Sequence, residues 1–428
     1  MYLANIPDDD RKRIVIAGAG FGGLKLAHRL AGSDYQIVLI DKNNYHSFQP
    51  LFYQVATSGI EPSAISFPLR KAFHRINNIH VRIARILRVN SSSNVLETSI
   101  GEIKYDYLVI ALGAGNNFFG NDSITRYAHP MKSIGESLGL RNTILQNFEK
   151  ALNTSDPDEQ RALMNLVIVG GGPTGVELSG AVSEMKRYVL PKDYPELDFN
   201  KMQIYLIESG KKLLGAMSET SSLKALRYLN RMRVRVILGK TVVNFDGNKV
   251  YLNDQSSLLT KTLIWAAGIK GNQIEGINGE AIGPGARLRV DSYNRVTGYD
   301  NIYSIGDICI MEGKNRPKGH PQVAQVAIQQ AKNLASNFRA MLKNKPLKAF
   351  NYKDLGTLAT VGRNKAVVDL PFIRFQGLPA WFFWMFVHLM SIVGVKNRLM
   401  IFINWAYHYF TYDQSLRLII KPKIKEPA

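Results

Sequence analysis

A β-branched apolar run, Arg13-Ile-Val-Ile-Ala17, meets glycines at 18, 20 and 23. It then gives way to a helical run reaching about Ser33 and to a second apolar run, Tyr35-Gln-Ile-Val-Leu-Ile-Asp41, that ends in an acid. The same order recurs from Asn165, with Leu-Val-Ile-Val, glycines at 170, 172 and 175, a helix, and Gln203-Ile-Tyr-Leu-Ile-Glu208. Between these units Val81 to Ile103 reads as short strands turning at Asn90 to Asn94, and Tyr105 to Gly115 as a buried strand running into glycines. Ser133 to Leu152 has helical amphipathic spacing, and Asn153 to Asp158 is a polar break. The second unit continues through Leu223 to Lys240 and closes at Lys261 to Gly268, matching Leu108 to Gly113. A glycine-rich return follows from Gly271 to Gly285, then Leu288 to Asp291, Asn301 to Asp307, and a long helix from about Pro321 to Leu342. A basic and apolar C-terminal region starts near Tyr352.

Each repeated unit is a βαβ fold element with a dinucleotide fingerprint. Gly18 permits the tight turn, Gly20 lets a pyrophosphate approach the helix N-terminus, and Gly23 allows close helix–strand packing. Gly170, Gly172 and Gly175 repeat that spacing. Asp41 and Glu208 stand where a carboxylate accepts hydrogen bonds from a ribose diol. The longer interval before Glu208 is explained by an insertion from Tyr188 to Phe199, which carries Pro191 and Pro195. Two fingerprints mean two dinucleotides, and the economical pair is a flavin and a nicotinamide. The expected fold is α/β, with one Rossmann-like domain inserted in the other. The boundaries fall at 1–125, 126–270, 271–345 and 346–428, the last a tail region.

With 428 residues, the length fits about three domains. The net charge of +20 and pI of about 9.8 suit an anionic membrane face or anionic substrates. No zinc-finger, helix-turn-helix or RNA-binding motif stands out, so nucleic acid is the weakest partner class. A single cysteine, Cys309, excludes a disulfide framework and a dithiol redox centre within one chain. Met1 to Arg13 carries three aspartates and no apolar core, so a signal peptide is not expected and the catalytic body should stay in the cytoplasm. No metal-binding cluster is expected.

Phe375 to Val395 holds about 21 residues without a formal charge, nominally enough to span a bilayer. Gly377 and Pro379 shorten it, His388 interrupts it, and the next apolar run, Leu399 to Thr411, is rich in Trp and Tyr. Two amphipathic helices lying in the interface fit better, with Arg374, Lys396, Arg398, Arg417, Lys421, Lys423 and Lys425 meeting anionic lipid. An apolar homodimer interface is the third option. Lys42 to Tyr53, dense in aromatics just past a strand, is either an anchored loop or a wall of the flavin site.

The combination resembles the type II NADH dehydrogenases, two-dinucleotide-domain flavoproteins that reduce quinone without pumping protons. Gly18 to Gly23, Tyr45-His46 with Gln49-Pro-Leu51, Gly170 to Glu177, and Trp265 to Gly268 carry the resemblance. Ser304 to Asp307, Ala324-Gln325 with Gln329, and the aromatic tail complete it. It implies FAD on the first fingerprint and NADH on the second. It places Asp307 at the flavin's ribityl or phosphate region, where the alternative is a helix-capping Asp. It adds Lys42, His46, Gly113, Ala324 and Gly268 to the cofactor-binding set. Glu208 favours NADH over NADPH, although Lys211 and Lys212 are close in sequence. Glu177 is expected in the first turn of its helix, where the dipole alone would favour it; the resemblance puts it beside the nicotinamide and flavin rings. Gln325 and Gln329, four apart with alanines nearby, are implied to hold a membrane quinone, ubiquinone or menaquinone. The implied location is peripheral, on the cytoplasmic face of the inner membrane. A sulfide:quinone oxidoreductase and an NADH-sensing flavoprotein are the alternatives.

Overall fold

The computed structural model describes residues 4–313, 316–413 and 416–420. Two compact units are interleaved along the chain: residues 1–47, 67–115 and 269–354 form the first, and residues 48–66, 116–268 and 355–428 the second.

The first unit is built on five parallel strands. In spatial order they are Ile302–Ser304, Tyr107–Ile110, Arg13–Ala17, Gln36–Asp41 and Ile79–Ile83. Residues 14–17 and 37–40 are fully buried, as expected of a parallel sheet whose strands are covered on both faces. The helix Phe21–Leu30 crosses from the first strand to the second, and Ala324–Met341 packs beside it. The short strands read between Val81 and Ile103 are present, as Ile86–Asn90, Val95–Thr98 and Gly101–Lys104 in an antiparallel sheet.

The second unit repeats the plan. Its five parallel strands are His129–Pro130, Thr262–Trp265, Leu166–Val169, Ile204–Glu208 and Val234–Leu238. The predicted helix at Ser133 is Ile134–Leu152, capped by the Ser133 hydroxyl accepting from Glu136 N. Inside the insertion, Tyr194 and Phe199 pack against Phe148 of that helix.

The C-terminal region does not begin as a tail. It opens with a three-stranded antiparallel sheet, Thr357–Gly362, Lys365–Asp369 and Arg374–Gln376. Two helices follow, Leu378–Ser391 and Val395–Thr411. His388 lies within the first of them and stacks on Trp384, with ring centroids 4.0 Å apart, so it does not break the helix. Among the described residues no helix is long and apolar enough to cross a membrane. Ala380, Trp384, Ile401 and Trp405 are buried, yet Phe382, Phe386, Met390, Leu399, Phe402 and Phe410 are exposed. The polar face expected of amphipathic helices is therefore narrow, because both sides carry large apolar residues. Lys421, Lys423 and Lys425 lie outside the described residues.

Candidate functional site

In the first unit the glycine loop is held by its own backbone. Gly18, at φ +108°, donates its N–H to Ile40 O at 2.7 Å, and an added Cβ there would meet Ala111 O at 2.4 Å. A Cβ on Gly23 would lie 1.8 Å from Gly18 O, whereas one on Gly20 meets nothing within 4 Å. The outer glycines are closed against the protein and the middle one faces open space. The helix that follows has neither a capping side chain nor an acid in its first turn. That arrangement fits a pyrophosphate, which needs close backbone approach and free charge at a helix N-terminus. Asp41 shapes the loop: its Oδ2 accepts from Ala19 N at 2.7 Å and its Oδ1 from Asn43 N at 2.8 Å. His46 is buried and its Nδ1 bonds Ala19 O at 3.0 Å, while Lys42 is exposed.

The second loop copies these contacts. Gly170, at φ +113°, donates to Ile207 O at 2.8 Å. A Cβ on Gly175 would lie 1.9 Å from Gly170 O, and one on Gly172 would meet nothing. Glu208 Oε2 accepts from Gly171 N and Oε1 from Gly210 N, both at 2.6 Å. Gly113 and Gly268 each lie three residues past the equivalent strands Tyr107–Ile110 and Thr262–Trp265, with positive φ. The duplication thus extends from sequence spacing to individual hydrogen bonds, and the second cradle fits a dinucleotide as the first does.

The rest of the predicted set in the first unit lies around the turn at Ile305 to Ile308. Asp307 is in that turn and its carbonyl accepts from Gln322 Nε2 at 2.8 Å; the long helix has Val323, not Asp307, at its N-cap. Ala324 is the first residue of that helix. The side chain of Gln325, the second residue of that helix, makes no hydrogen bond to another described residue. Gln329 does not aim beside it: its Nε2 donates to Lys353 O at 2.9 Å and its Oε1 accepts from Lys353 N at 3.0 Å. The amide is committed to a strand-like clasp on the following chain. Gln330, missed in the sequence, is 1 % exposed and accepts from Gly306 N at 2.8 Å.

In the second unit a separate constellation forms around Glu177. The helix Pro173–Tyr188 has no acid in its first turn, so Glu177 sits one turn deeper than the sequence suggested and the dipole does not account for it. It is 7 % exposed, and its Oε1 accepts from Thr360 N at 3.3 Å and from Trp384 Nε1 at 3.2 Å. Burial pushes its carboxyl from 4.5 to about 8, partly offset by those two bonds. The acid is therefore largely protonated at neutral pH. A cavity of about 150 Å³ opens beside it, lined by Tyr53, Glu184, Arg363, Trp384, Trp405 and His408 among others. Trp405 Nε1 donates to Gln54 Oε1 at 2.8 Å, and Asn397 Nδ2 bridges to the carbonyls of Ser63, Ala64 and Ser66. Burial also pushes His388 down to about 4, so its imidazole is neutral. The segment past Lys42 supplies Tyr53 to this wall, its phenol held by Gln54 Nε2 at 2.9 Å. Tyr53 ends the stretch read as a candidate wall of the flavin site, whereas Thr360 and Trp384 were not singled out from the sequence. The only signal was their polar heads inside apolar runs.

Comparison with known proteins covers most of the chain. The pyridine nucleotide-disulphide oxidoreductase family matches residues 12–331, and the NDH2 C-terminal domain matches residues 355–411. The fold and its two cradles thus define a pyridine-nucleotide flavoprotein oxidoreductase. The type II NADH:quinone oxidoreductase Ndh of Mycobacterium tuberculosis is 32 % identical over 420 residues, covering 94 % of this chain and 89 % of that protein. A second protein of that organism, NdhA, is 31 % identical, with 93 % and 87 % covered. The chain belongs to the type II NADH:quinone oxidoreductases. In fold it is similar to NDH2 from Plasmodium falciparum in complex with NADH, at TM-score 0.88, 22 % identity and coverage of 96 % and 100 %. It is less similar to the sulfide:quinone oxidoreductase of Aquifex aeolicus, at TM-score 0.71, 19 % identity and 96 % of each chain.

Proposed function

We propose that this chain oxidises NADH and reduces a membrane quinone, with FAD as its resident cofactor and without proton pumping. The duplicated, carboxylate-wired glycine cradles carry that conclusion. FAD, when bound, supplies the two-electron chemistry between nicotinamide and quinone. Gly18, Gly20, Gly23, Asp41, Lys42, His46, Gly113, Asp307 and Ala324 would hold it, in the segments 1–125 and 271–345. Gly170, Gly172, Gly175, Glu208 and Gly268 would hold NADH, in 126–270. We assign the quinone ring to the cavity beside Glu177, whose neutral carboxyl can give a proton there. Gln329 would act by fixing Lys353.

The exposed apolar residues of the two C-terminal helices support attachment to a membrane surface, with Arg374, Lys396 and Arg398 toward anionic lipid; Arg417, expected to join them, is instead ion-paired with Asp193 and Asp413. The cytoplasmic face is part of the same proposal. A homodimer through the same helices is the other cover for their apolar residues, and sedimentation in detergent distinguishes the two. The sulfide alternative lacks its chemistry: Cys309 is the chain's one thiol, buried and pushed up to about 11. Steady-state turnover with NADH and a short-chain quinone tests the function, since flavin bleaching without turnover would indicate a redox sensor instead.

Glu177→Gln separates the half-reactions. Flavin bleaching by NADH should persist while quinone turnover falls by about a hundredfold, the lower end of the range expected for loss of a general acid. Wild-type quinone turnover should also decline above about pH 8, as Glu177 ionises, and the variant should lose that limb. Stability has a definite sign here: the folded state retains a proton that the unfolded chain releases above 4.5, so Glu177 destabilises progressively from about pH 4.5 to 8 and no further beyond. An unchanged pH profile in the variant would assign the decline to another group.

Glu208→Gln should raise the use of NADPH relative to NADH by removing a charge facing the 2′-phosphate. Absolute affinity for NADH should fall, because the amide presents N–H to one of the two backbone N–H groups that Glu208 now accepts. Equal use of both nucleotides by the wild type would refute the ribose assignment.

A further inference from the structure

We propose that Glu184 relays into the cavity the solvent proton that quinone reduction consumes, passing it toward Glu177. The proposal rests on the assignment of quinone to that cavity. The balance of the reaction is NADH + H⁺ + Q → NAD⁺ + QH2. One C–H bond of the nicotinamide breaks, two electrons pass to the quinone, and two O–H bonds form, so one proton must enter from solution for each turnover. A buried site needs a group that can carry it.

Glu177, Gly180 and Glu184 are spaced i, i+3 and i+7 along Pro173–Tyr188 and so share one face. That face lies against the strand Thr357–Gly362. Gly180 makes the approach possible: a Cβ there would be 1.8 Å from Val361 O. The strand and the turn after it then offer one backbone N–H to each acid. Thr360 N reaches Glu177 at 3.3 Å and Arg363 N reaches Glu184 at 2.6 Å. Both acids line the same cavity. Glu177 is its enclosed end, whereas Glu184 is only half-buried. Seven residues of helix separate them by about 10 Å, so transfer between them runs through cavity water or the quinone itself.

The charges around Glu184 leave it free to exchange a proton. From the strands, Arg363 and Lys365 face it, but neither forms an ion pair with it among the described residues. The Arg363 guanidinium instead sits between the rings of Tyr409 and Tyr412, 4.0 and 4.2 Å from their centroids. Lys365 Nζ donates to Arg363 O at 3.2 Å. Tyr53, close enough to Glu184 for the two to interact electrostatically, and His408 line the same cavity, and among the described residues His408 Nδ1 is buried with no hydrogen-bond partner. Burial raises the Glu184 carboxyl above its ordinary value, and the Arg363 N–H and the two positive charges pull it back. A carboxyl locked in a salt bridge would stay ionised and carry nothing.

Glu184→Gln keeps an oxygen that accepts from Arg363 N but cannot carry a proton. With the full-length holoenzyme, NADH and a short-chain quinone, kcat should fall about tenfold or more, and more steeply as pH rises from 6 to 9, with KM for quinone little changed. Anaerobic flavin bleaching by NADH should match the wild type. The solvent deuterium effect on turnover should increase, and added imidazole, a small diffusible acid, should restore part of the rate. Glu184→Asp should recover more of the rate than Gln. Wild-type turnover in Glu184→Gln across that pH range would overturn the relay. So would loss of flavin bleaching or a lowered melting temperature in both variants, which would make the residue structural. Failure of the wild type itself to reduce quinone would instead remove the cavity assignment.

Discussion

Gly180→Ala is expected to lower the melting temperature by roughly 2–12 °C and to depress quinone turnover, although it adds one methyl group. The Cβ would lie 1.8 Å from Val361 O and 2.6 Å from its carbonyl carbon. Those are backbone atoms, which cannot escape by changing rotamer. The strand must move off the helix, pulling Thr360 N away from Glu177 and Arg363 N away from Glu184. Overpacking of this kind costs about 1–3 kcal/mol, which at roughly 2–4 °C per kcal/mol for a unit of this size gives the expected shift. Gly139→Ala is the control. It lies in the helix Ile134–Leu152 with nothing within 4 Å of its Cβ, and should be neutral or slightly stabilising. Scanning calorimetry of the two proteins decides the matter: equal melting temperatures would mean that the helix and strand are not in the contact described.

Removal of the chain from Gly377 onward should do more than release the protein from membranes. Trp384 is 2 % exposed and Trp405 9 %, and each indole N–H is bonded within the second unit, to Glu177 and to Gln54. Removing a buried Trp side chain costs about 3–5 kcal/mol. Loss of both should therefore lower the melting temperature of that unit by at least 10 °C, on the order given by its size. It also opens Glu177 to water, so its carboxyl should return toward its ordinary value of 4.5 and ionise at neutral pH. A truncated protein that keeps its melting temperature and its quinone turnover would show the helices to be a mere anchor. The double substitution Phe382→Ser/Phe386→Ser, by contrast, alters only exposed positions. It should weaken membrane sedimentation while sparing stability.

The sheets were legible in the sequence because parallel strands, buried on both faces, read as unbroken apolar runs flanked by glycine. Arg13–Ala17 and Leu166–Val169 are of that kind. The glycine cradles were legible because their chemistry is local: the residues that shape each loop lie within one βαβ unit. The Glu177 cavity was not. Its parts come from residues 53, 177, 360, 384 and 405, joined by long-range hydrogen bonds that no spacing encodes. The sheet at Thr357 to Gln376 was read as the start of a basic tail because its strands are short and interrupted by Arg363 and Lys365. Gln329 and Gln330 illustrate the limit within one helix. Adjacent amides have the same propensity, yet one clasps a passing backbone and the other is buried under a turn.

Glu208 holds Gly171 N and Gly210 N with its two oxygens, as Asp41 holds Ala19 N and Asn43 N. A residue that both builds a loop and discriminates its ligand constrains descent. Any lineage moving from NADH to NADPH through position 208 must pass through a protein whose second loop has lost a staple. The route open to it is a prior change that secures the loop elsewhere, or recruitment of exposed Lys211 to the phosphate with the carboxylate left in place. Variation in cofactor preference among descendants of this chain should therefore gather around position 208 rather than at it.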